Sequence, residues 1–178
     1  MKAKMNVLIT GFALTLLSAV AVAAPRTVDY VDLKRYLGDW YEIGSIPQVF
    51  SQGCVCSRAQ YAELPDGKIS VYNTCNKGSA DGKLNEAKGT ATVADRATNA
   101  KLEVVFFLPF KGDYWIIGLD KDYRYAVVSN RDGSSLWILS RTPELAPDLF
   151  DEAKKIAVDN GIDLGKMQIT SQAHCQYP

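Results

Sequence analysis

Gly38-Asp39-Trp40-Tyr41-Glu42-Ile43 is the stretch on which the fold turns. It follows a short amphipathic turn, Val31 to Tyr36, and opens the first strand. Gly38 permits a close backbone approach, Trp40 to Ser45 reads as extended chain, and Ile46-Pro47 ends it because proline cannot continue a paired ladder. A candidate partner for Trp40, Arg141, lies at the far end of the strand series. If the two meet, everything between them must curl into a closed sheet.

Outward from there the pattern is strands and turns. Cys56 to Leu64 and Lys68 to Cys75 alternate around Pro65-Asp66-Gly67, which predicts a hairpin with Ile69, Val71 and Asn73 on one face. Asn76 to Gly82 turns, Lys83 to Ala94 is a longer polar strand with Gly89, Ala91 and Val93 sharing a face, and Lys101 to Phe107 aligns Leu102, Val104 and Phe106. A turn is expected over Pro109 to Asp113, followed by strands at Tyr114 to Leu119, Tyr123 to Asn130 and Ser135 to Arg141. The period then changes. Ala146-Pro147-Asp148 reads as a helix start, Leu149, Phe150, Ala153, Ile156 and Ala157 form one apolar face, and Asn160-Gly161 is the stop. A short strand, Met167 to Thr170, precedes the tail. Eight short strands and one late amphipathic helix predict an all-β protein: an eight-stranded antiparallel up-and-down barrel with a C-terminal α-helix packed outside.

The front of the chain reads as an export signal. Lys2 and Lys4 precede an apolar run from Val7 to Val22, and Ala21-Val22-Ala23 supplies a small-residue cleavage site, so residues 1–23 are expected to be removed and 24–178 to form one domain. The first cysteine is Cys54, so no lipidated cysteine follows the signal; an exported, soluble protein of the periplasm or the medium is expected. Without Lys2 and Lys4, 18 basic side chains face 20 acidic ones, a net charge of −2, with no basic stripe; nucleic acid is not an expected partner. Cys54, Cys56, Cys75 and Cys175 behind an export signal favour two disulfides, in any of three pairings. Cys54-Val55-Cys56 lacks zinc-knuckle spacing and the single histidine, His174, lies in the tail, so no metal and no cofactor is expected. No nucleophile–base constellation or glycine-rich phosphate loop is visible.

Gly38-Asp39-Trp40 resembles the Gly-x-Trp signature of the lipocalin family. Leu119-Asp120-Lys121-Asp122-Tyr123 resembles that family's second motif, and Leu136-Trp137-Ile138-Leu139-Ser140-Arg141 its third. Ser140-Arg141-Thr142-Pro143 and Asn73, with the late helix and Cys175, are similar to the branch holding the bacterial outer-membrane lipocalins and apolipoprotein D.

The resemblance implies a barrel whose floor is closed by Trp40 with the Arg141 guanidinium stacked over it, a desolvated cation–π contact of about 2 kcal/mol. It implies the pairing Cys56–Cys175, with Cys54–Cys75 clamping the first hairpin. With strand alternation, family registers imply an inner wall that includes Gly118 and Ala126 and a ligand set of Glu42, Ala59, Tyr61, Val71, Asn73, Val104, Phe106, Tyr114, Ile116, Val128, Trp137 and Leu139. Val49 and Phe50 fall in the loop that overhangs the mouth in this family, a gate or a lip for transient membrane contact. The function implied is binding and transport or storage of a small lipophilic ligand, a fatty acid or lysophospholipid, without catalysis. Two other readings compete: an isomerase-like enzyme on a lipophilic substrate, and a surface-binding scaffold whose barrel is filled.

Overall fold

The computed structural model describes residues 23–178, so the expected export segment lies outside the described residues apart from Ala23. Alternation between turn-forming clusters yields eight strands: β1 (Gly38–Ser45), β2 (Cys54–Glu63), β3 (Ile69–Lys77), β4 (Leu84–Val93), β5 (Lys101–Phe107), β6 (Phe110–Leu119), β7 (Tyr125–Ser129) and β8 (Leu136–Ser140). Each pairs antiparallel with the next, and β1 pairs with both β2 and β8, which closes the barrel. The helix α1 (Leu33–Tyr36), capped by the Asp32 carboxylate, sits before β1 and sends the buried Tyr36 into the floor.

Side chains sort into two layers. Inside the barrel lie Trp40, Tyr61, Val71, Leu102, Val104, Ile116, Ala126, Val128 and Leu139. Outside, Ile117, Tyr125, Val127, Leu136 and Ile138 pack against α2 (Pro147–Asp159), whose small buried residues Ala153 and Ala157 let it lie close to the sheet. Pro147 occupies the first turn of α2 and Asp148 stands at its positive end, as expected from the sequence.

Three features depart from the sequence reading or go beyond it. The expected turn over Pro109 to Asp113 shrinks to Leu108-Pro109, because Phe110 pairs with Phe107, Gly112 with Val104 and Asp113 with Glu103. Glycine and aspartate are poor strand formers, and here the neighbouring strand and a 2.9 Å Lys111–Glu103 ion pair hold them in the ladder. Gly118 faces outward rather than into the barrel: a bulge between Ile116 and Gly118 breaks the alternation, and a Cβ there would stand 2.8 Å from Ile156 of α2. The short strand β9 (Gln168–Ile169) joins the sheet. Pairing of β1 with β2 stops at Tyr41–Arg58, and β9 takes up the free edge of β1 at Gly44 and Ser45, so its backbone groups find partners.

Candidate functional site

The floor is built first. Gly38 has φ +93°, a left-handed conformation that favours glycine, and a Cβ there would meet Arg141 Nη1 at 3.5 Å. The guanidinium lies 3.8 Å from the centroid of the buried Trp40 ring and donates through Nη1 to the carbonyls of Leu37 and Asp39, each at 2.9 Å. Trp40 Nε1 donates to the Tyr36 carbonyl at 2.8 Å. Arg141 thereby joins the chain entering β1 to the chain leaving β8 and seals the end of the barrel.

Above the floor stand three phenols. Tyr114 Oη is 2.8 Å from Tyr36 Oη and 3.1 Å from Tyr61 Oη. Burial raises the pKa of all three; that of Tyr61 is pushed up to about 12, with Tyr114's hydrogen bond and Arg141 pulling it back and the charge of Glu42 adding to the rise. All three phenols are neutral at physiological pH. Three hydroxyls sharing two hydrogen bonds leave one O–H without a protein acceptor among the described residues. Beside them Ile69, Val71, Ala91, Leu102 and Val104 leave a void of about 20 Å³, room for about one water. The lower half of the barrel is therefore packed.

The upper half is not. Inward positions of a closed barrel can meet water only through its mouth, and several do. Asn73 pairs with Ala59 on one side and Ala87 on the other; Ala59 and Asn73 are part-exposed and Ala87 is exposed. Gly112, opposite Val104, is exposed, and Tyr114 and Trp137 are part-exposed. Phe106 is 38% exposed and its ring lies against Gly89, where an added Cβ would stand 2.8 Å from Cδ1. The site is an open cup over a packed base. Of the twelve residues expected to line it, Tyr61, Val71, Val104, Ile116, Val128 and Leu139 belong to the packed interior. Glu42, Ala59, Asn73, Phe106, Tyr114 and Trp137 are reached by solvent.

Glu42 is the one carboxylate in this set. It pairs with Leu139 on the inner face, while Tyr41 before it meets Tyr177 edge-on outside. Its Oε1 accepts from Ser45 Oγ at 2.8 Å and Thr170 Oγ1 at 2.5 Å. Burial raises its pKa, and the two hydroxyl donors hold the rise back. Asn73 is unlike its neighbours: its Oδ1 is buried with no hydrogen-bond partner among the described residues.

Around the mouth, Val49 and Phe50 are 86% and 69% exposed, and their loop is held by Lys77 Nζ, which donates to the carbonyls of Phe50 and Gln52. The β5–β6 hairpin tip adds Phe107, Leu108 and Phe110, each at least 66% exposed. Sequence reasoning missed this second lip by placing a turn there; the signal available was three large apolar residues around one proline. It also missed Tyr36, whose place four residues before Trp40 in a short helical turn was the only hint. The disulfides are Cys54–Cys75 and Cys56–Cys175, and no free cysteine remains.

Comparison with known proteins agrees with this geometry. The family model described as a lipocalin-like domain matches residues 31–172. The chain is 39% identical over 160 residues to apolipoprotein D of Mus musculus, spanning 85% of this chain and 82% of that one. It is 39% identical over 145 residues to the outer membrane lipoprotein Blc of Escherichia coli strain K12, spanning 80% and 81%. Among solved structures, insecticyanin from the tobacco hornworm Manduca sexta superposes with a TM-score of 0.64 at 24% identity, over 87% of this chain and 88% of that one; it shows the fold alone. The chain belongs to the lipocalin family, whose barrels bind small hydrophobic ligands.

Proposed function

We propose that this protein is an exported carrier of single-chain lipid amphiphiles, of which fatty acids and lysophospholipids are the two classes that suit the cup. The carrying observation is an apolar inner wall reached by solvent in its upper half, with polar groups at Glu42, Asn73 and Tyr114. Each methylene that leaves water for that wall contributes about 0.8 kcal/mol, and the packed base of Trp40, Tyr36 and Tyr61 sets the depth to which a chain enters. Export is supported by the leader pattern of residues 1–23 and by two disulfides, which persist in oxidising compartments. The printed name of one relative, an outer membrane lipoprotein, supports a cell-envelope setting. With no cysteine before Cys54, we place this chain free in the periplasm or medium.

The two apolar lips support a second element of the reading: transient contact with a membrane surface, from which a chain would be loaded. The filled-scaffold alternative draws on the packed base and the same lips.

Trp137 on the inner wall provides the test. Titration of delipidated protein with a long-chain lysophospholipid or fatty acid at micromolar concentration is expected to quench tryptophan emission, and Trp137→Phe to abolish that change. Absence of binding by every amphiphile tried at that concentration sinks the carrier reading and leaves the scaffold.

A further inference from the structure

The polar groups of the cup form a belt, and their chemistry is one-sided. Asn73 lies across Ala59 from Trp40, and Glu42 is the next inward residue above Trp40 on β1. Both therefore stand one inward step toward the mouth, Glu42 above Trp40 and Asn73 above Val71, which pairs with Tyr61. The charges of Arg141 and, less strongly, Glu42 both act on Tyr61. Between floor and rim, the inward positions of the eight strands carry no lysine, arginine or histidine. Cations stand at the two ends of the barrel: Lys77 under the first lip and Lys111 on the β5–β6 hairpin at the mouth, and Arg141 stacked on Trp40 at the floor.

A carboxylate or phosphate drawn into this belt would lose its water and face Glu42, while the one cation whose charge reaches the phenols, Arg141, is stacked on Trp40 and donates to backbone carbonyls instead. An unpaired buried charge is among the costliest states a protein interior holds. The Oδ1 of Asn73, by contrast, is already out of water and unbonded. Its carbonyl accepts and its NH2 donates, whichever way the group is turned. The spare phenolic O–H at Tyr36, Tyr61 and Tyr114 adds a donor, and Glu42 adds an acceptor. A ligand group that both donates and accepts, without charge, can pair with either kind of group here.

We infer that the belt of Glu42, Asn73 and Tyr114 selects an uncharged hydroxyl or amide on a lipid chain, and that any anionic group on the ligand stays outside at the rim. This rests on the carrier reading above and sharpens it: the discriminating part of the ligand is a neutral polar group in the cup. A free fatty acid, whose only polar group is its carboxylate, is then the poorer ligand of a matched pair.

The test holds the chain constant and varies the end. Delipidated protein is titrated at pH 7.5 with dodecanol, dodecanamide, laurate and dodecylamine, each below its critical micelle concentration, by calorimetry or by Trp137 emission. Dodecanol and dodecanamide are expected to bind about tenfold or more tighter than laurate and dodecylamine, the scale of an unpaired charge against a satisfied hydrogen bond. Glu42→Gln keeps an acceptor for Ser45 and Thr170 and is expected to bring laurate to within about threefold of dodecanol. Asn73→Leu, similar in size but without the amide, is expected to weaken dodecanol and dodecanamide about five- to tenfold, one lost hydrogen bond, and to leave laurate unchanged. Laurate binding as tightly as dodecanol to the wild-type protein overturns the inference while the carrier reading stands. Dodecylamine binding tightest also overturns it, since Glu42 would then be acting as a counter-ion. If none of the four binds, the carrier reading fails first and this one with it.

Discussion

Glu42 holds the least comfortable position on the inner wall: a carboxyl group whose pKa is raised by burial, held by two hydroxyl donors. A raised folded-state pKa means that the native state binds the proton more tightly than the unfolded chain does. The native state is therefore favoured by this group below the ordinary glutamate value of 4.5, and that advantage is lost as pH rises through the higher folded value. As pH rises above 4.5 the group becomes a standing cost relative to the unfolded chain, which a neutral isostere avoids while still accepting from Ser45 and Thr170. Glu42→Gln is expected to melt above wild type at pH 7.5, with the gap closing as pH falls and absent below pH 4.5. Thermal unfolding of both proteins across that range measures it. A gap that widens on acidification would show that Glu42 gains more from its two donors than burial takes away.

At the scale of elements, the C-terminal tail acts as a ninth stave. Beyond β9, Thr170 N donates to the Ile43 carbonyl at 3.0 Å and Cys56 N to the Ser171 carbonyl at 2.8 Å, so the tail lies in the seam where β1 and β2 part. Gln172 Nε2 spans that seam, donating to Glu42 O and Ser57 O, and Cys56–Cys175 fixes the end. The disulfide links residues 119 apart in sequence. Constraining so long a loop in the unfolded chain is worth about 4–5 kcal/mol in the loop-entropy model, and removal of native disulfides typically costs 2–5 kcal/mol. The double substitution Cys56→Ala with Cys175→Ala is expected to cost about 2–5 kcal/mol in denaturant unfolding. It should also speed hydrogen exchange at Thr170 and Cys56 ahead of the amides of β3 and β4. Exchange that rises uniformly would mean the tail is no separate unit. Little of this was readable from residues alone: four cysteines leave three pairings, and Met167 to Thr170 announces a strand without saying which edge it will meet. The resemblance, not the spacing, supplied Cys56–Cys175.

For the whole molecule, what was legible divides along the barrel axis. Alternation tells which residues of a strand point inward, and it held where strands run regularly, as at Ile69, Val71 and Asn73. It failed at Gly118, where a bulge makes two residues oppose one and the next side chain turns outward. Alternation cannot say how far the inward side chains fill the space, which depends on their rotamers and on what closes the floor. Tyr36, contributed from outside the strand series, helps to pack the base, so the cup is shallower than an inner wall of small residues suggests. The mouth was half legible: Val49 and Phe50 stood out as apolar residues in a loop, whereas Phe107 and Phe110 looked like strand end and turn. Together the lips put five large apolar side chains on two loops at one end of the molecule, at least 66% exposed. Apolar side chains presented this way at a ligand entrance suit the interfacial zone of a bilayer, where apolar burial drives binding. Replacing Val49, Phe50, Phe107 and Phe110 by serine is therefore expected to lower partition onto neutral phosphatidylcholine vesicles about tenfold or more, since each large side chain withdrawn from water contributes about 1.5–3 kcal/mol when fully buried and less at an interface. Micromolar titration with soluble dodecanol should stay within twofold of wild type, because none of the four forms the inner wall. If vesicle binding survives the substitutions, the lips serve the ligand or a protein partner instead; if dodecanol binding falls with it, they are a gate to the cup and not a membrane contact.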